Sequence, residues 1–197
     1  LLTRAYDGYS GRIEVNGHEL SSLNYHSLRS NVAVVHQDVE LFAGSLRDNI
    51  AMFDPRIGDD IILEAIRLVR ATHLIESLPG GLDYQVVEAG GNLSSGQKQL
   101  IVFARALAHD APVVLMDEAT SSVDSVTEAW IQEAIAQIMR HKTVIVVAHR
   151  LSTIAAADRI LVLRDGAVDQ FGPVAEILRM LARPVEEPQG VPAKITR

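Results

Sequence analysis

An apolar run that stops dead at two adjacent carboxylates limits most tightly what this chain can fold into. Val113-Val114-Leu115-Met116 follows Pro112 and ends at Asp117-Glu118. Continuous rather than alternating apolar character marks a strand buried on both faces, as in a parallel sheet with covering helices. Upstream, Leu93-Ser94-Ser95-Gly96-Gln97 sets two hydroxyls and a glycine before an apolar-periodic segment. That pattern predicts a helix N-capped by Ser94, with Gln97 as the reciprocal partner. Such a helix end has free N–H groups and a partial positive charge, both suited to an anion. Residues 93–124 thus hold a polar turn, a helix, a buried strand and an acid pair in one stretch.

Open α/β sheets bind ligands at the carboxyl ends of their strands, and adjacent strand residues face opposite ways. Asp117 and Glu118 are therefore expected to do different work: an Asp can hold the water shell of Mg²⁺, and a Glu can orient or deprotonate an attacking water. A second apolar run, 143–148, ends at His149, and a third, 32–35, stops just before His36-Gln37. Taken alone, Gln37 reads as a solvated loop residue and His149 as an ordinary surface or core histidine. Their position at strand ends, in order with the acid pair, gives them weight.

Residues 93–124 resemble the signature loop, Walker B strand and D-loop of an ATP-binding-cassette ATPase. Val35-His36-Gln37-Asp38 resembles the Q-loop, Ala148-His149-Arg150-Leu151-Ser152 the switch-histidine loop, and residues 42–50 the segment after the Q-loop in exporter-type cassettes. The resemblance covers roughly residues 1–181. It departs from the commonest pattern at Ser95, where the family usually has glycine; a side chain there is expected to alter rate rather than abolish binding, since Gly96 keeps the tightest point open.

The resemblance implies a P-loop NTPase-like α/β fold: a parallel sheet core (1–37 and 111–183), an inserted helical subdomain (38–110) and a disordered tail (184–197). It implies ATP and Mg²⁺ as cofactors, with Glu118, His149 and Gln37 as catalytic residues and Asp117 and Gln37 at the metal. Ser94, Ser95, Gly96, Gln97, Ser122 and Asp124 are implied to reach the nucleotide of a second such domain. The expected function is ATP hydrolysis coupled to export, on the cytoplasmic side of a cell membrane, with transmembrane coupling helices as partners. The alternative is a soluble cassette ATPase of the DNA-repair or translation class; the first typically carries a long heptad insertion, which this sequence lacks. The pattern G-x-x-x-x-G-K-[ST] does not occur in the 197 residues, so the P-loop, its strand and the N-terminal β-subdomain are expected upstream of Leu1. Without them, residues 1–197 are expected to be inactive.

Bulk properties agree with one globular domain or two closely joined subdomains: 197 residues, 48% hydrophobic, 22% charged. A net charge of −7 gives no general attraction to nucleic acid or anionic lipid. No apolar run approaches the roughly 18 residues of a membrane span, so direct insertion is not expected. The absence of cysteine excludes disulfides and thiolate metal sites.

Along the chain, residues 1–6 read as the last turn of a helix. Asn16-Gly17 and Asp165-Gly166 read as hairpin turns. Helices are predicted from Ser45, from Asp59 to Val69, around Thr72 to Ser77, from Val126 to Met139, from Arg150 and from Val174 to Leu181. Residues 32–35 and 143–148 are predicted as buried strands. Trp130, in line with Ala134 and Ile138, is expected to anchor a core rather than stack on a ligand.

Overall fold

A computed structural model describes residues 1–6, 8–36, 39–117 and 125–181. The chain divides into two compact units, Leu1–Thr153 and Ile154–Arg197.

The first unit opens with a turn, not a helix end. Arg4 N–H bonds Leu1 O at 2.8 Å and Arg4 then takes φ 54°, a left-handed conformation that stops any helical path. A two-residue hairpin follows, β1 (Glu14–Val15) and β2 (His18–Glu19). Asn16 and Gly17 at its tip both have positive φ, 51° and 78°, as the twist of a tight hairpin requires. Next come α1 (Tyr25–Asn31), capped by the Asn24 side chain, and β3 (Val32–Val35).

Between β3 and the next core strand lie β4 (Gly44–Ser45), α2 (Leu46–Ala51), α3 (Asp59–Leu68), α4 (Thr72–Ser77), β5 (Gln85–Val86) and α5 (Ser95–Ala108). Ser45 caps α2 in a reciprocal box with Asp48. Then come β6 (Val113–Asp117), α6 (Ser125–His141), β7 (Thr143–Val147) and α7 (Leu151–Ala156). The main sheet is parallel, in the order β3-β6-β7.

Alternation along β6 decides what each face buries. Val114 and Met116 join a large apolar cluster with Phe103 of α5 and Ile131, Ala134, Ile135 and Ile138 of α6. Val113 and Leu115 pack on a small second cluster of Val15, Leu20, Leu28 and Val32. β6 is therefore covered on both sides, as its unbroken apolar run predicts. β7 is not: Val144 and Val146 meet the large cluster, but Ile145 and Val147 are 50% and 57% exposed. It lies at the end of the sheet, beyond the reach of the small cluster, so only half of its apolar pattern is used.

Trp130 also differs from expectation. It packs at the rim of the core rather than inside it, with its ring against His73 of α4 at 3.7 Å between centroids and a 44° tilt. The buried apolar positions of that helical face are Ile131, Ala134, Ile135 and Ile138, with Thr127 buried one turn before them. Nearby, Arg70 pairs with Glu133 at 3.1 Å, adding a second link between the α3–α4 junction and α6.

α5 ends at His109, followed by Asp110 with φ 52°. Burial of the imidazole pushes the His109 pKa down, against the weaker opposite pull of the Ile50 carbonyl and Asp54. Its Nε2 is buried without a hydrogen-bond partner among the described residues. In the unfolded chain this ring protonates near its ordinary pKa of about 6.5, but in the folded chain only at lower pH. The unfolded state then binds more protons between those two values, so stability is full above the unfolded pKa and falls as pH drops toward the folded one. We expect His109→Gln to flatten the dependence of the urea midpoint on pH between about 7 and 5. An unchanged slope would remove His109 as its source.

In the second unit, β8 (Arg159–Arg164) and β9 (Ala167–Pro173) form a hairpin with a bulge between Val162 and Leu163, followed by α8 (Val174–Leu181). Asp165 and Gly166 supply its positive-φ turn. Ile177 of α8 is buried and lies against Gly172. The predicted tail from residue 184 lies outside the described residues.

Candidate functional site

Register brings the ends of the core strands to one level. Val35 pairs with Met116, Met116 with Val146, and Asp117 with Val147. Asp117 closes β6, and His149 follows β7 after one intervening residue. Both side chains are exposed. Glu118 follows β6 directly and Gln37 follows β3 after His36, but both, with Ser122 and Asp124, lie outside the described residues.

The loop that carries His149 is tied down on its far side. Arg150 forms an ion pair with Glu128, and Ser152 Oγ donates to Gln132 Oε1 at 3.1 Å. Both acceptors belong to α6, whose core face is buried, so the loop inherits the rigidity of that helix. Two hollows in the first unit lie elsewhere: one includes Asp110, Arg140 and Lys142 near the amino ends of β6 and β7, the other Tyr25, Arg29 and His109. Neither includes Asp117 or His149.

The predicted serine–glycine turn is formed as expected at the head of α5. Ser94 Oγ accepts from Gln97 N–H at 3.2 Å, and Gln97 Oε1 accepts from Ser94 N–H at 2.9 Å. Ser94 and Ser95 are exposed while Gly96 is buried in the first turn. Ahead of the turn, Leu93 is buried and its N–H bonds Gly90 O at 3.0 Å. Gly90 has φ 65°, a conformation that favours glycine, and a Cβ there would crowd Leu41 Cδ1 and Lys98 Cε at 3.1 Å. Lys98 Nζ donates to Ala89 O at 2.8 Å across the same bend. Ser94→Ala removes the cap and is expected to cost about 1 kcal/mol of stability. Thermal melts would show it, and an unchanged midpoint would mean that the Gln97 half of the box suffices.

Three residues important to this region were not singled out by the sequence. Asn92 ties the preceding loop, accepting from Val87 N–H at 3.1 Å and donating to Gln85 O at 2.9 Å. Asn49 and Arg105 bind the segment after Gln37 through bonds to backbone carbonyls. Side chains that satisfy distant backbone groups leave no local pattern; only the polar type of Asn49 inside an apolar-periodic helix hints at it.

The donor set fits a magnesium-bound polyphosphate. An exposed carboxylate and an imidazole at the strand ends, and separately a helix N-terminus at the head of α5, are groups that suit such a ligand. No group of three or more His, Cys, Asp or Glu forms a metal cage among the described residues. Mg²⁺ usually keeps several waters and takes only one or two carboxylates plus phosphate oxygens, so a cage is not required.

Comparisons with known proteins show the family. The model of the ABC transporter family matches residues 1–121. The chain is 41% identical over 180 residues to a probable multidrug resistance ABC transporter ATP-binding/permease protein of Bacillus subtilis, covering 91% of this chain and 27% of that protein. It is 42% identical over 180 residues to an ATP-dependent lipid A-core flippase of Methylococcus capsulatus, covering 90% of this chain and 30% of the relative. Among solved structures, a bacterial Atm1-family ABC exporter with ATP bound superposes with a TM-score of 0.80 at 37% identity, over 91% of this chain and 31% of that one. The fold is thus the α/β fold of an ABC ATPase with its parallel sheet. The chain belongs to the ABC transporter family and matches the nucleotide-binding domain of its exporters. It spans less than a third of the length of these relatives.

Proposed function

We propose that this chain is the nucleotide-binding part of an ABC exporter, working as one of two such domains that clasp ATP between them head to tail. The reading is supported chiefly by one observation: the core strands end at one level, with Asp117 exposed at the end of β6 opposite Val147, and His149 exposed two residues beyond Val147. ATP, when bound with Mg²⁺, supplies the transferable γ-phosphoryl group and the binding energy for closure. Asp117 and Gln37 would hold the magnesium water shell. Glu118 orients the attacking water and accepts its proton at a carboxylate oxygen. His149 would donate a hydrogen bond to a γ-phosphate oxygen. The second domain contributes its Ser94, Ser95, Gly96 and Gln97 through first-turn N–H groups and hydroxyls, and its Ser122 and Asp124 beside them.

Residues 38–110 form the helical subdomain on this reading, next to transmembrane coupling helices on the cytoplasmic side of a cell membrane. One edge of β7 has no partner strand among the described residues, and with its exposed Ile145 and Val147 it suits pairing with a further strand, for which the strand leading to a P-loop is the natural occupant.

The P-loop provides most direct phosphate contacts in such enzymes, and no G-x-x-x-x-G-K-[ST] lies within the 197 residues. Residues 1–197 by themselves are therefore expected to show no Mg²⁺-dependent ATP hydrolysis in a phosphate-release assay. Activity that Glu118→Gln abolishes would overturn the requirement for a separate P-loop.

A further inference from the structure

We propose that Arg105 is a positioning residue that holds the segment after Gln37 in fixed register with the serine–glycine turn at the head of its own helix. Arg105 sits on α5, whose first residues form that turn. Its Nε donates to Asn49 O at 2.8 Å, and both terminal guanidinium nitrogens reach Glu40 O at 3.4 Å. The guanidinium also stands 6.0 Å from the Phe42 ring centroid. These partners lie 56 and 65 positions away in sequence.

Asn49 passes the connection on. It is fully buried; its Oδ1 accepts from Phe42 N–H at 2.8 Å, and its Nδ2 donates to Phe42 O at 2.9 Å and Ser45 O at 3.0 Å. The path from α5 through Arg105 and Asn49 to residues 40–45 therefore consists of hydrogen bonds to main chain at every step. Loss of solvent lowers the Arg105 pKa, yet no carboxylate contacts it among the described residues. A guanidinium has five donors in a planar fork and keeps its charge in proteins. Half-burying one against carbonyls gains no charge pairing but fixes geometry, since the fork spans two backbone segments at once. The two ends differ in strength: the Asn49 bond is short, and the Glu40 contacts are at the long limit. Asn49 is thus the fixed anchor and Glu40 the end that adjusts.

The consequence rests on the proposed reading of the site. There, Gln37 serves one nucleotide and Ser94–Gln97 of the same domain serves the other. Arg105 then sets the relative placement of two half-sites within one domain. Loosening it misplaces catalytic groups without removing any residue that binds ATP.

The test uses the intact transporter with Arg105→Met and the gentler Arg105→Lys, which keeps the charge but loses the planar fork. In nucleotide-free protein, amide hydrogen exchange at residues 42–46 is expected to rise several-fold in both variants. In ATPase assays, kcat is expected to fall roughly tenfold, with KM within about twofold of wild type, and Lys not to rescue Met. Wild-type kcat in Arg105→Lys, a loss carried by KM alone, or unchanged exchange at 42–46 would each overturn the proposal. Glu118→Gln run in parallel separates the two failures. If it silences hydrolysis while Arg105→Lys matches wild type, the positioning role is refuted and the ATPase reading stands; if it leaves hydrolysis intact, the ATPase reading itself falls.

Discussion

Glu118→Gln in the intact transporter is expected to lower kcat for ATP hydrolysis about 10³-fold, with KM for ATP within a factor of about two. The amide keeps the size of the side chain and its place after β6, but it cannot accept a proton from water. A residue that acts only in the transition state lowers kcat without weakening substrate binding, whereas a residue that holds substrate raises KM. Asp117→Asn should differ. It weakens the charge that faces Mg²⁺, so the loss should depend on Mg²⁺ concentration and be relieved in part by excess metal. This contrast is the one the sequence suggests, because consecutive residues along a strand face opposite sides. Steady-state kinetics at several Mg²⁺ concentrations would distinguish the two carboxylates. Equal behaviour of both variants would contradict the division of labour.

The largest stability effect is expected at Asn49. Asn49→Ala strips the partners from Phe42 N–H, Phe42 O and Ser45 O in one step, at a position with 0% exposure. Buried groups left unpaired cost about 1–3 kcal/mol each, less where the loop can relax toward water. Phe42 is 42% exposed, which gives its backbone some access to solvent. A net loss of about 3 kcal/mol is the expected result, or a fall in melting temperature on the order of 10 °C for a domain of this size. Asn49→Asp should not rescue it, because a carboxylate facing two carbonyls exchanges a donor for a repulsive charge. A loss below about 1 kcal/mol would mean that water replaces the side chain readily.

What the sequence conveyed and what it did not divide along physical lines. Local signals were legible: the Ser94 box, the Ser45 helix start, the Asn16-Gly17 and Asp165-Gly166 turns, and the limits of α4 and α8 all depend on neighbours within a few residues. The parallel sheet was legible too, because helical patterns separate its apolar runs. The exposed face of β7 was not, since an apolar run does not state whether both its sides find a cover. Nor was the placement of Trp130, because helical periodicity marks a face and not the edge of a core. The Arg105–Asn49–Phe42 connection joins segments more than fifty positions apart, and nothing near Arg105 in sequence announces it. For the candidate site, strand ends gave Asp117 and His149, and the α5 cap gave Ser94 and Gln97. The roles of Gln37, Glu118, Ser122 and Asp124 rest on family resemblance, and those residues lie outside the described structure.

One measurement addresses the composite site directly: a cryo-EM structure of the intact Glu118→Gln transporter with ATP and Mg²⁺. The proposed arrangement predicts a γ-phosphate with His149 of one domain within hydrogen-bonding distance on one side and the Ser94–Gln97 turn of the other domain on the opposite side, with Asp117 beside the metal. Bound ATP with the Ser94–Gln97 turn remote from both nucleotides, or with Asp117 and His149 facing different cavities, would contradict it.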